Sequence, residues 1–382
     1  LPAEYALGGI LPAGEQLPIS ARAVPACTWQ DAALCVQEIQ AADAVWQSNV
    51  DRRDGLVHPS PAYSGVWLRD SFWTLAGLGD LALSNRALGH FAATQLPSGQ
   101  IPTQFTTFLR DPVYRPDEST LLFLIWAAWQ VEAGGPQPKR AVLKAALGYV
   151  LGQSSNGLYR GPRGMYTSWL DSFRLPANDT LAYNQGLYAV ALQGARRLGL
   201  TVKDQEISAA IAGYRSLVGR KGYLRFSAKL NYHDASALTG EFLSLWLLRQ
   251  PILSDQTVRQ TLADLPSSQS GFKILTDAGG RYLPGISFTP TLQPGDYQNG
   301  GSWLLYDYLS LAVGALHHIP GMEDRMEQRL RTEFATGAIF HEYLETDPHN
   351  PYFPGEPSWR DRFSWDSFVV RVDQVVAGAR TG

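Results

Sequence analysis

A chain of 382 residues is long enough for two ordinary domains or for one large barrel or toroid, so length alone leaves the domain count open. Its 32 lysines and arginines stand against 35 acids, a formal charge of −3, which excludes a general nucleic-acid binder working through a basic face. Hydrophobic residues make up 45% and charged residues only 18%, which allows a large core, and no apolar run approaches the roughly 18 residues that would cross a bilayer.

The first 28 residues are rich in proline and alanine and lack the basic start and apolar stretch of an intact signal peptide. They are expected to form an extended arm ahead of a single domain over 29–382. A signal removed beforehand would leave such a start, so the compartment is open. Cys27 and Cys35 are the only cysteines, too few for a disulfide framework or a multi-cysteine metal site. A local bridge and two separate thiols are equally open readings, because a helix starting at Thr28 would hold the sulfurs apart.

From residue 65 onward a pattern repeats. An aromatic residue stands beside a carboxylate or amide just ahead of an apolar segment of helical period: WLRDSFWTLAGL around Asp70, YRPDESTLLFLIWAAW around Asp117, SWLDSF around Asp171, NYHDASALTGEFLSLWLL around Asp234, YQNGGSWLLYDYLSLAV around Asn299 and FSWDSFVV around Asp366. The six marks recur at intervals of about 47 to 67 residues, each long enough for two helices and their connections. Partner helices are expected near 29–50, 84–95, 138–153, 203–218, 255–265 and 321–334. In the fourth marked segment Leu238, Phe242 and Leu245 form an apolar stripe, and in the fifth Leu305, Leu309, Ala312, Val313 and Leu316 do the same. The expected fold is therefore all-α: an (α/α)6 toroid of six hairpins and about twelve helices, with the marked helices as its inner ring and the others as its outer ring.

If the inner helices run parallel, their marked N-termini surround one mouth. An aspartate ahead of an apolar run is commonly a helix N-cap, and that reading serves Asp70, Asp234 or Asp366 taken singly. Six such positions, each with tryptophan or tyrosine nearby, also describe a carbohydrate pocket, where ring faces stack on sugar C–H groups and polar side chains take the hydroxyls. Hydrolysis of a glycosidic bond needs two carboxyl groups, one protonated and one ionised. Asp171 beside Trp169, in a loop ahead of a helix, is the candidate acid, since an aromatic wall would keep it protonated. The candidate base lies in GAIFHEYLETDPHNPYFPGEPSWRDRFSW, where composition does not separate Glu342 from Glu345. The seven histidines show no HExxH or comparable spacing, and there is no GxSxG, P-loop or DDxxD motif, so no metal site is expected.

These motifs resemble the six-hairpin α-glycosidases, closest to the glucosidase module of glycogen-debranching enzymes and the processing α-glucosidase and neutral-invertase groups. WLRDS is similar to the family's WGRD-type opening, which implies sugar-binding roles for Trp67, Arg69 and Asp70. PDESTLLF resembles its second mark, with Asp117 and Glu118 aligning equally well. SWLDS followed by LAYNQGLYAVAL resembles the segment carrying the family's general acid and so implies that role for Asp171. QNGGSW resembles the fifth mark, implying Gln298, Asn299 and Trp303, and GAIFHEYLETDP places Glu342 rather than Glu345 at the base. Trp169 and Asp234 complete the expected site. The resemblance implies an inverting, exo-acting α-glucosidase that takes an oligosaccharide or small glycoside and needs no cofactor. WLRDS also occurs in toroidal α-mannosidases, so a mannosidase is the first alternative, and a non-catalytic glycan-binding protein the second. The longest loop, 266–298, is the expected specificity lid.

Overall fold

Two kinds of helix alternate along the chain, and they differ in what starts them and in how much they bury. The computed structural model describes residues 29, 31–106, 110–160, 167–173, 176, 178–283, 293–347 and 361–380; the expected arm, Cys27, the middle of the 266–298 loop and most of the loop after Asp347 lie outside them. Six outer helices, α1 (Ala32–Asn49), α3 (Leu81–Ala93), α5 (Arg140–Gly152), α7 (Asp204–Arg215), α9 (Asp255–Asp264) and α11 (Met322–Glu333), occupy the expected partner segments. Asp31, Asp80 and Ser254 accept backbone N–H bonds at the starts of α1, α3 and α9. Each outer helix buries one stripe, as α5 does with Leu143, Ala146, Leu147 and Val150.

The inner helices are α2 (Leu68–Leu78), α4 (Ser119–Glu132), α6 (Ala182–Arg197), α8 (Thr239–Leu243), α10 (Leu304–Leu316) and α12 (Val369–Arg380). All but α12 are buried around most of their circumference because neighbours surround them, whereas α12 buries Val369, Val372, Asp373 and Val376 and leaves other positions partly exposed. In α4 every residue from Ser119 to Gln130 is buried, as befits a helix with no solvent face. Helix α2 packs on α4, α4 on α6, α6 on α8, α8 on α10, α10 on α12, and α12 returns to α2, which closes the (α/α)6 toroid.

The fourth inner helix is short because its ends change winding. A 3₁₀ turn, Ala235–Leu238, leads into α8, and a π turn, Ser244–Leu248, follows it. Beside the break the backbones of α6 and α8 touch: a Cβ built on Gly240 would stand 2.3 Å from Gly186 Cα. Gly240→Ala is therefore expected to destabilise the fold by about 1–3 kcal/mol or more. Gly148→Ala, on α5 with nothing within 4 Å of the added carbon, should instead stabilise it by about 0.5–1 kcal/mol. Thermal unfolding of the two variants checks the contrast.

Cys35 is disulfide-bonded. Cys27 is the other cysteine in the sequence, which favours the bridged of the two open readings. No helix among the described residues is long and apolar enough to cross a membrane.

Candidate active site

The starts of α2 and α10, the turn before α12 and three loops converge on one small cavity. Of the expected residues, Trp67, Arg69, Asp70, Trp169, Asp171, Gln298, Trp303 and Glu342 line it, and they are joined by Pro59, Tyr63, Tyr297, Phe363 and Trp365. The first, third, fifth and sixth marked segments thus meet at the lining.

The aromatic wall is a packed unit. Trp169 packs tilted by 31° against Tyr306 at 4.2 Å and edge-on to Trp303 at 5.2 Å. Trp303 meets Trp365 at 5.6 Å, and Trp365 meets Phe363 at 5.1 Å. Rings held by other rings have little rotamer freedom, so the wall is preorganised rather than shaped by a ligand. Trp169 is also fixed by its edge: its Nε1 donates to Ser236 Oγ at 3.0 Å, and that hydroxyl donates to Asp234 Oδ1 at 2.6 Å.

Asp171 is set by Gln298. The Gln298 amide donates to Trp169 O at 2.9 Å and to Asp171 Oδ1 at 3.2 Å, while its Oε1 accepts from the Ser172 N–H at 2.8 Å and stands 2.6 Å from Ser172 Oγ. One side chain thus grips three residues of the Trp169–Ser172 loop. Burial pushes the Asp171 carboxyl up from its ordinary value, and Arg69, Arg115 and the Gln298 bond oppose that rise without cancelling it.

Glu342 reaches the cavity from the opposite loop and is 1% exposed. Tyr63 Oη donates a short hydrogen bond to its Oε1. The Glu342 backbone lies between two anchors: Leu344 exchanges both backbone hydrogen bonds with Ser302, at 2.8 and 2.9 Å, and the His341 N–H donates to Glu333 Oε1 at 2.8 Å.

Among the described residues, Arg69 is the one cation in the lining. Its Nη1 pairs with Glu118 Oε1 at 2.8 Å, its Nε stands 4.0 Å from Asp70 Oδ2, and its guanidinium lies 4.9 Å from the Trp365 ring centroid. Burial raises Asp70 to about 6 despite that neighbour. Asp70 sits in the first turn of α2, whose N-cap position is held by Trp67 with no side-chain bond. It is not the helix cap.

Four expected site residues stand elsewhere. Asp117 Oδ1 accepts from the Ser119 N–H, at the first residue of α4, at 3.0 Å. Glu118 is fully buried beneath Arg69. Asp234 caps the 3₁₀ turn through Ser236 N at 2.8 Å. Asn299 braces the long loop by accepting from the Leu283 N–H at 3.0 Å. The sixth mark caps a neighbour: Asp366 Oδ1 accepts from the Leu305 N–H of α10 at 3.0 Å. Among the residues not anticipated, Phe363, Trp365 and Tyr297 adjoin the sixth and fifth marks and share their aromatic signal. Pro59 and Tyr63 come from an irregular segment that carries no periodic signal. Among the described residues no cluster of histidine, cysteine or carboxylate ligands is placed to hold a metal ion.

Fold and site together define a helical toroid with a carboxylate-bearing, aromatic pocket at one end. No protein-family model matches the sequence, and no curated protein matches it. Solved structures do match. A wild-type glycosidase is 16% identical with a TM-score of 0.62, covering 91% of this chain and 97% of its own. A glycosidase variant in complex with glucose is also 16% identical, with a TM-score of 0.63 over 91% of this chain and 97% of its own. A GH63 mannosylglycerate hydrolase from Thermus thermophilus in complex with glucose is 13% identical, with a TM-score of 0.60 over 88% of this chain and 99% of its own. At these identities the likeness is one of fold.

Proposed function

We propose that this protein is an inverting, exo-acting glycoside hydrolase, and that its substrate is a terminal α-glucoside of an oligosaccharide or small glycoside. The observation that carries the proposal is the placement of Asp171 and Glu342, from separate loops, in the lining of one small aromatic cavity. Burial favours the protonated form of Asp171, which suits it to protonate the leaving oxygen. Glu342, which accepts a hydrogen bond from Tyr63 Oη, is assigned the deprotonation of a water on the far face of the ring.

Asp70, Arg69 and Gln298 supply hydroxyl partners, and Trp67, Trp169 and Trp303 supply ring faces. Asp117, Glu118, Asp234 and Asn299 act from behind the wall in this reading. The glucose in the complex of a glycosidase of this fold supports a glucoside. The mannosylglycerate hydrolase of the same fold keeps α-mannosides in the assay panel. The disulfide at Cys35 supports an address outside a reducing cytosol.

Proton NMR of fresh reactions with α-glucosides and α-mannosides tests the proposal. β-Glucose is the expected first product from an α-glucoside. α-Glucose as the first product would replace the inverting mechanism with a covalent route, and release from mannosides alone would change the sugar.

A further inference from the structure

We propose that Arg329, on the outer helix α11 and outside the pocket lining, is a positioning residue that ties down both ends of the short segment carrying Glu342. The role assigned to Glu342 comes from the function proposed above. The tether itself consists of hydrogen bonds that do not depend on that role.

Arg329 is only 4% exposed and reaches two carboxylates. Its Nη1 donates to Glu333 Oε2 at 2.8 Å, and its Nε donates to Asp307 Oδ2 at 2.8 Å. Each carboxylate carries the contact onward. Glu333 Oε1 accepts from the His341 N–H at 2.8 Å and lies 3.0 Å from His341 Nδ1. Asp307 Oδ2 accepts from Ser302 Oγ at 2.6 Å, and Ser302 exchanges both backbone hydrogen bonds with Leu344. One guanidinium therefore joins residue 341 on one side of Glu342 to residue 344 on the other. It also joins that segment to Ser302, whose chain neighbour Trp303 is part of the pocket wall.

The bland reading is an i, i+4 ion pair of helix α11 that adds stability. Two features tell against it. The cluster is buried, and a buried ion pair commonly adds little stability compared with apolar packing. It is also incompletely satisfied, since Arg329 Nη2 and Asp307 Oδ1 are buried without a hydrogen-bond partner, which adds to the cost. What the cluster supplies is position. Burial pushes Glu333 up, but Arg329 and His341 outweigh it and hold the carboxyl below its ordinary range, so Glu333 remains an ionised acceptor for the His341 N–H.

The test uses Arg329→Lys, which keeps the charge and loses the fork, and Glu333→Gln, which keeps the shape. Alanine at 329 would strand two buried carboxylates and is avoided. Amide exchange is followed by mass spectrometry on the peptide spanning 338–346, with the α4 peptide 119–132 as reference, together with kcat and KM on the glycoside the wild type hydrolyses. Faster exchange confined to 338–346 is expected, with kcat lower by about 10- to 100-fold and KM changed less than about threefold. Unchanged exchange in that peptide overturns the proposal. So does equal acceleration in α4, which would mean general destabilisation, or a loosened segment with kcat intact. If the wild type hydrolyses no glycoside, the functional reading fails, and the tether is then decided by the exchange result alone.

Discussion

Glu342→Gln is expected to lower kcat by about 1,000-fold while leaving the fold and the binding of a terminal sugar nearly intact. Glutamine keeps the volume of the buried side chain, and its carbonyl oxygen can still accept from Tyr63 Oη, so little repacking is required. What it lacks is the basicity to take a proton from water. Asp171→Asn should cost about as much on an ordinary O-glycoside, but for a different reason: its amide cannot protonate the departing oxygen. The two variants separate on α-glucosyl fluoride, whose leaving group departs with little protonation. On that substrate Asp171→Asn should recover to within about tenfold of the wild type, whereas Glu342→Gln should stay inactive because the attacking water still needs a base. Equal losses on both substrates for both variants would remove the acid and base assignments. Calorimetric binding of glucose to each variant controls for a collapsed pocket.

The helical ring was readable because burial demands it. TLLFLIWAAW has no polar face to offer solvent, and α4 is buried accordingly. The outer helices were readable from the opposite feature, a single stripe per helix. Periodicity could not report the broken fourth inner helix. The stripe Leu238, Phe242, Leu245 fits a continuous helix, yet the chain winds as 3₁₀, α and π turns there, and the break lies beside a contact between Gly240 and a glycine 54 positions earlier in sequence, Gly186. The site shows the same division. A carboxylate next to an aromatic residue reads alike whether it faces a ligand or satisfies a helix start. Asp70 and Asp171 line the pocket, whereas Asp117 and Asp234 turn to the N–H groups of Ser119 and Ser236. That choice depends on side-chain direction at each helix start, which sequence spacing does not encode. Tyr63 shows the other gap. It lies 279 residues from Glu342, and only the closed ring brings the two together.

The fold should also be more stable at pH 5 than at pH 8, because many of its buried acids bind protons more tightly folded than unfolded. Burial raises Asp70 and Asp307 to about 6, and Glu38, Glu118 and Asp234 to about 7, from ordinary values of 3.8 for aspartate and 4.5 for glutamate. A raised value means that the stabilising form is the protonated one. Its contribution is complete below about pH 4 and is lost as the pH climbs through 6 and 7, at about 1.4 kcal/mol for every tenfold difference in proton affinity. His317 adds to the same trend: burial alone would lower it, but Glu241 and Asp255 outweigh burial and raise it, so its contribution fades above neutrality. Glu333, held low by Arg329, titrates below this range; His58 and His233, lowered by burial, pull the other way, but they are two groups against several. The midpoint of thermal unfolding should therefore drop as the pH is raised from 5 to 8, and a flat or rising profile would contradict the burial of these carboxyls. Asp234→Asn isolates one contribution. Asparagine keeps the Oδ1 acceptor used by Ser236 but places an unpartnered amide where Asp234 Oδ2 is buried without a partner, so the variant should be less stable than the wild type at pH 5. At pH 8, where the wild type must bury a charge or hold its proton at a cost, the two curves should converge.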